Sequence, residues 1–183
     1  GGGARGASRR LPDDLPELER AASAVLQLAE VVVVCGGASV GERDFARVMF
    51  EPAGLQLEFA KVAIKPGKPV WLGRARGRLV LGLPGNPTSA MVTARLFLAP
   101  LLAGLGGRSA RLAWETVTLA APLPASGARE TFSRARRTAS GAEPLAEQDS
   151  GAQQALAEAD LLLRRAAGAP ASEAGQTVQA LAF

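Results

Sequence analysis

Leu79-Val80-Leu81-Gly82-Leu83-Pro84-Gly85-Asn86-Pro87-Thr88-Ser89 is the stretch whose reading decides the fold. Leu79–Leu83 is a short apolar strand, and Pro84-Gly85 bends the chain sharply behind it. Asn86 then caps a helix whose first residue is proline. Ala90, Met91, Ala94, Leu98, Leu101 and Leu102 keep a helical period as far as Gly104. Upstream, Val31–Val34 is a continuous β-branched run, the pattern of a strand covered on both sides. It runs into a second glycine bend, Cys35-Gly36-Gly37-Ala38-Ser39-Val40-Gly41. Strand, glycine bend and helix, met twice, predict an α/β layer sandwich.

The neighbouring segments fit that plan. Asp14 is an N-cap, Pro16 lies in the first helical turn, and Glu17 stands at the capping-box position. Leu18, Ala21, Ala22, Val25, Leu26 and Ala29 form the apolar face of a helix ending near Ala29. A helix over Phe45–Phe50 and a strand over Leu57–Val62 follow. Val70–Leu72 and Leu79–Leu83 pair through Gly73–Arg78, whose arginines 74, 76 and 78 read as a solvated hairpin. Beyond Gly104–Gly107 the pattern changes. Trp114, Val117 and Leu119, then Phe132, Leu161–Leu163, Val178 and Leu181 fall in short runs broken by Pro, Gly and Ser. This predicts a small all-β, barrel-like unit over 108–183, with Gln153–Ala159 the alternative place for a short helix within it, after an α/β unit over 1–107.

Composition narrows the chemistry. With 183 residues, 48% of them apolar, the chain is globular rather than disordered. Aromatic residues are only 4%, so the cores rest on Val, Leu and Ala. The net charge of +4 lies wholly in 1–107, which carries thirteen Lys and Arg against nine Asp and Glu. That suits an anionic small ligand. Nucleic acid is not expected, since finger spacing, a long basic run and aromatic–basic interleaving are all missing. There is no histidine, which removes His-based acid–base catalysis, Ser-His dyads and His-ligated metals within this chain. Cys35 is the single cysteine and permits no internal disulfide; it reads as a small buried residue ending a strand, not a nucleophile. No membrane-spanning or signal segment is expected. Without an initiator methionine, the chain is expected to begin inside a longer product.

The candidate site gathers around three loops. Gly36, Gly37 and Ser39 sit in the first glycine bend, where backbone donors meet no side-chain crowding. Pro84, Gly85, Asn86 and Ser89 deliver a helix N-terminus that accepts phosphate or carboxylate. Between the bends, Lys61 and the stiff turn Lys65-Pro66-Gly67-Lys68-Pro69 bring three cations towards a phosphate-rich ligand. Asp44 follows the first bend and serves as a helix cap or a Mg²⁺ ligand. Asp13, with Asp14 occupied as a cap, is freer to face a site.

In order along the chain, Gly36-Gly37-Ala38-Ser39-Val40-Gly41-Glu42-Arg43-Asp44, Ala63-Ile64-Lys65-Pro66-Gly67-Lys68-Pro69 and Gly82-Leu83-Pro84-Gly85-Asn86-Pro87 strongly resemble the molybdopterin molybdenumtransferase family, which includes the gephyrin E domain. The resemblance covers essentially the whole chain. Phe132-Ser133-Arg134, Gln148-Asp149-Ser150-Gly151 and Gly175-Gln176-Thr177-Val178 match weaker signatures of the family's C-terminal β domain. It implies a three-layer molybdopterin-binding-like domain, N-terminally incomplete, followed by that β domain. It further implies insertion of molybdate into adenylylated molybdopterin with release of AMP, helped by Mg²⁺, in a cytoplasmic homodimer. By motif position, Asp13 and Asp44 resemble the functional acidic residues and metal ligands. Lys61 and Lys65 resemble active-site lysines, and Arg134 and Ser150 resemble site residues supplied by the β domain. Asp149 stands where glycine usually precedes the serine, and Cys35 where serine is common. The family's upstream strand, acidic loop and further domains have no counterpart here, so 1–107 is expected to form an incomplete sheet that is inactive alone. A non-catalytic molybdopterin-binding module and a gephyrin-like peptide-binding scaffold are the alternative readings.

Overall fold

The computed structural model describes residues 6–36, 45–146, 148 and 157–183. The chain opens with α1 (Leu15–Leu28), and Asp14 Oδ1 accepts the Glu17 amide at 2.9 Å, the cap its sequence predicts. Ala22 and Leu26 bury the inner face, while Val25 and Leu28 stay exposed. A two-residue link leads into β1 (Val31–Cys35), which is followed by α2 (Phe45–Val48) and a 3₁₀ turn at Glu51–Ala53. The helix expected over Phe45–Phe50 is thus cut short, and Gly54, left-handed at φ 73°, closes the turn.

Four strands make the first sheet, in the order β1, β5 (Arg78–Leu83), β4 (Trp71–Ala75) and β2 (Gln56–Ala60). β1 and β5 are parallel, in register from Val31 opposite Leu79 to Cys35 opposite Leu83. β4 and β5 form a hairpin through Arg76-Gly77, both with positive φ (48° and 75°), the geometry of a tight two-residue turn matched to strand twist. Arg74 pairs with Glu58 at 2.8 Å and Arg76 donates to Ser23 Oγ at 2.9 Å, so this hairpin is tied laterally as well as solvated.

Two expectations about β1 need correction. The strand is not covered on both sides: Val32 is buried against Ala22, Leu26 and Phe50, whereas Val33 is 40% exposed. Cys35, expected to be buried, is exposed as well. The physical reason is position, because β1 is the edge strand. Its other face is left open beside Leu81 and Leu83, its partners on β5, which pack in a core with Val92 and Leu96.

From Pro87 to Leu105 the chain is one long helix: α3 (Pro87–Thr93), a wider π-type turn (Ala94–Leu98) and α4 (Ala99–Leu105). These 19 residues, with mean hydropathy 1.5, are long and apolar enough by length and composition to cross a membrane, which amends the expectation that no such segment exists. Here Val92 and Leu96 are built into the core, and Arg95 Nε donates to the Ala182 carbonyl at 2.7 Å.

The second sheet holds β6 (Trp114–Thr118), β7 (Glu130–Thr138), β9 (Leu161–Arg165) and β10 (Thr177–Ala182) in the order β7, β9, β10, β6, with β8 (Gly141–Pro144) paired to β7. Beyond β6, Leu119 bridges Ala142 of β8, and the Ala120 amide reaches the Ala142 carbonyl at 2.8 Å. These contacts curl the sheet towards the barrel form the sequence predicts. The segment Gln153–Ala159 lies mostly outside the described residues.

One strand crosses between the units. β3 (Ile64–Lys65) hydrogen-bonds in parallel to β7, with Ile64 opposite Glu130 and Lys65 opposite Thr131. The strand expected over Leu57–Val62 therefore stops at Ala60, where Lys61 takes a left-handed φ of 62° and redirects the chain. Ile64, Val70, Leu81, Leu83 and Val92 share one buried cluster with Phe132, Leu162 and Leu181. The two sheets are thereby joined by a common core.

Candidate functional site

The parallel strands β1 and β5 end together, so Gly36 and Gly85 behind them lie side by side. The Gly36 amide donates to the Leu83 carbonyl at 3.3 Å, and Gly36 itself has φ of 92°, a conformation that favours glycine. A methyl group placed on Gly85 would stand 3.2 Å from the Gly36 Cα. Two backbones bare of side chains thus form one corner at the carboxyl end of the sheet, where open α/β folds take their ligands.

α3 starts from this corner. Asn86 Oδ1 accepts the Ser89 amide at 3.3 Å, so Asn86 is engaged as the cap. Pro84 is buried beneath the bend, and Ser89 is buried in the first helical turn. Ser89 offers its carbonyl to the Thr93 hydroxyl at 2.7 Å. The lysine turn docks at that point: Gly67, with φ of 111°, lies against Thr93, whose Cγ2 would be 2.3 Å from any added Cβ. The Lys61 amide bonds the Val70 carbonyl at 3.1 Å and the Val62 amide bonds the Lys68 carbonyl at 3.0 Å, closing the loop that carries all three lysines. Lys61, Lys65 and Lys68 are exposed, and none has an ion-pair partner among the described residues. The glycine corner stands at the N-terminus of this helix, and the lysine loop docks on the same helix further along, at Thr93.

The β unit adds Arg134 on β7, which is 1% exposed. Its Nη1 donates to Thr88 Oγ1 at 3.3 Å, across the boundary between the units. Gln148 grips the backbone of Arg134 on both sides, accepting from its amide and donating to its carbonyl, each at 2.9 Å. Such burial gives Arg134 the geometry of a residue that fixes the helix end. The sequence reading did not single out Gln148 as a clamp or Thr88 as the partner of Arg134; contacts 14 and 46 residues apart carry no local signal.

Asp13 lies exposed just before α1. Gly37, Ser39, Asp44 and Ser150 lie outside the described residues. Cys35 ends β1 beside the corner, exposed but partly desolvated, and that desolvation raises its thiol pKa above the ordinary value, which makes it a poor nucleophile at neutral pH.

The class is defined by an α/β layer in which Gly36 and Gly85 adjoin behind parallel strands, joined through the Arg134–Thr88 contact to a small β sheet. Residues 5–104 match the family described as "Probable molybdopterin binding domain", and residues 116–183 match the "MoeA C-terminal region (domain IV)". The chain belongs to the molybdopterin molybdenumtransferase family. It is 46% identical over 98 residues to the molybdopterin molybdenumtransferase of Haemophilus influenzae, a match covering 54% of this chain and 24% of that one. It is 40% identical over 87 residues to the molybdenum cofactor synthesis protein cinnamon of Drosophila melanogaster, covering 46% of this chain and 14% of that one. The crystal structure of a molybdopterin biosynthesis MoeA protein from a Pyrococcus species superposes with a TM-score of 0.78 at 27% identity, over 93% of this chain and 41% of that one. The chain thus spans well under half the length of these relatives.

Proposed function

We propose that this chain is part of a transferase of molybdenum cofactor biosynthesis, inserting molybdate into adenylylated molybdopterin with release of AMP. One observation carries the reading: Gly36 and Gly85 abut at the ends of parallel strands while Gly67 locks the lysine loop onto the helix that follows. The bare corner lets a pyrophosphate approach the backbone closely, and Lys61, Lys65 and Lys68 offset its charge and that of molybdate. Lys65 on β3 and Arg134 on β7 stand on paired strands of the second sheet, which supports the reading that segments 1–107 and 108–183 serve one ligand. Arg134 and Gln148 are positioning residues in this scheme, and Ser150 a ligand contact.

Of the proposed Mg²⁺ ligands, Asp13 is an exposed hard-oxygen donor and Asp44 lies outside the described residues, among which no three acidic or thiol side chains gather. Asp13 and Asp44 would hold the ion, and when bound it supplies charge neutralisation at the phosphoanhydride. The family resemblance supports a cytoplasmic homodimer as the working form of the longer protein.

Calorimetry with adenylylated molybdopterin tests the site. Lys65→Ala in the protein carrying this chain should weaken binding about tenfold, the effect of losing one charge-assisted phosphate contact. Unchanged affinity would remove Lys65 from the site. Binding of the wild type without any AMP release on adding molybdate would leave a pterin-binding module in place of a transferase.

A further inference from the structure

Thr93 is an unusual residue for the interior of a long helix. It is β-branched and polar, it is fully buried, and it stands in the last turn of α3. Its hydroxyl donates to the Ser89 carbonyl at 2.7 Å, with the Ala90 carbonyl at 3.1 Å. Both carbonyls belong to the helix's own backbone, and back-bonding of this kind bends a helix more than it strengthens it. The chain widens into its π-type turn at the next residue, Ala94. Such turns gather at functional positions. The hydroxyl does select a rotamer: a threonine in a helix divides between two, and the bond to Ser89 keeps one of them. In that rotamer Cγ2 lies against Gly67, where it leaves no room for a Cβ.

Gly67 is the buried tip of the turn that carries the exposed Lys68. The near end of that turn belongs to the second sheet, through β3 and its ladder to β7. The Val70 amide reaches the Gly67 carbonyl at 3.0 Å and the Val62 amide reaches the Lys68 carbonyl at 3.0 Å, so these bonds close the turn on itself. Neither ties it to the helix. At the tip, the Gly67–Thr93 contact does. We infer that Thr93 is a positioning residue, whose methyl group seats the turn on α3 and so sets where Lys68 stands relative to the glycine corner at the start of that helix. The inference rests on the transferase reading for what Lys68 meets, but not for the seat itself. Thr93 has no exposed surface, so it acts through the turn and touches no ligand.

Hydrogen exchange on the protein that carries this chain, without ligand, reads the seat at the Val62 and Val70 amides. Thr93→Ser keeps the hydroxyl and deletes the methyl. Those two amides should then exchange about fivefold faster, the worth of one buried methyl group, while the Ala29 amide at the fraying end of α1 keeps its rate. Thr93→Val, whose favoured helical rotamer keeps a methyl in that place, should match the wild type. Wild-type exchange in Thr93→Ser overturns the proposal. So does equal loosening in Thr93→Val, or a rise shared by Ala29, which would mean a general loss of stability. Calorimetry with adenylylated molybdopterin extends the test to the site. Thr93→Ser should weaken binding about fivefold in the wild-type background and not at all beside Lys68→Ala, because the methyl acts through that lysine. An equal loss in both backgrounds overturns Lys68 as the group positioned. If Lys68→Ala alone binds as tightly as the wild type, the transferase reading of Lys68 fails, and the exchange result decides the seat by itself.

Discussion

Cys35 shows how much a single position in the fold decides. A cysteine after four valines reads as buried, yet the edge place of β1 leaves it exposed, while partial desolvation still raises its thiol pKa. Because that pKa is raised above the unfolded value, the folded state binds more protons once the pH passes the unfolded pKa of about 9, and stability falls there as pH climbs. Alkylation of the folded protein by iodoacetamide should therefore show its midpoint above that of a free thiol. A midpoint at or below the free-thiol value would reverse the assignment and restore Cys35 as a candidate nucleophile. Arg134 illustrates the opposite case. It resembles a ligand residue by motif, but it is buried and bonded to Thr88, so Arg134→Met should disturb the helix end before it touches a ligand. Its expected signature is a fall in melting temperature accompanying weaker pterin binding; a binding loss with unchanged stability would make it a direct contact.

Among the elements, the most consequential joint is the one between the lysine loop and α3. Gly67 has a φ that side chains rarely adopt and no room for a Cβ against Thr93. Gly67→Ala should destabilise the protein by about 1–3 kcal/mol, read from denaturant melts, and should loosen Lys65 at the same time. A variant as stable as wild type would mean the loop is not docked as described. Elements built from local chemistry were legible in the sequence: the Asp14 and Asn86 caps, the β4–β5 hairpin and the helix after Pro87 all follow from neighbouring residues. β3 was not, because its partners Glu130 and Thr131 lie 66 positions away and no local period encodes that ladder. The burial of Arg165 had a readable signal, since Leu161, Leu163 and Arg165 share one face by strand alternation. The site was legible in part: the glycine and lysine motifs stand out in the chain, but the docking of the lysine turn on the helix that follows the glycine bend is a property of the tertiary fold.

For the whole molecule, the shared cluster of Ile64, Leu81 and Val92 with Phe132, Leu162 and Leu181 makes the two sheets one folding unit. Trp71 in the first sheet and Trp114 in the second report on them separately. Single-tryptophan variants, Trp71→Phe and Trp114→Phe, should give coincident fluorescence transitions once each variant's own stability change is taken into account, whereas two separated transitions in wild type followed by both probes would show independent units. Leu162→Ala, at a fully buried position of that cluster, should lower stability by about 2–5 kcal/mol by both probes. Cooperativity of this kind has a functional meaning: the glycine corner belongs to the first sheet and Lys65 and Arg134 to the second, and they keep a fixed relation only while the common core holds.

The most direct measurement is molybdate-dependent AMP release from adenylylated molybdopterin by the protein that carries this chain, in Mg²⁺, with Asp44→Asn alongside. The account predicts release that requires molybdate and falls by about a hundredfold or more in the variant, the usual cost of removing a group that stabilises charge in the transition state. Release that ignores molybdate, or an Asp44→Asn variant as fast as wild type, would contradict it.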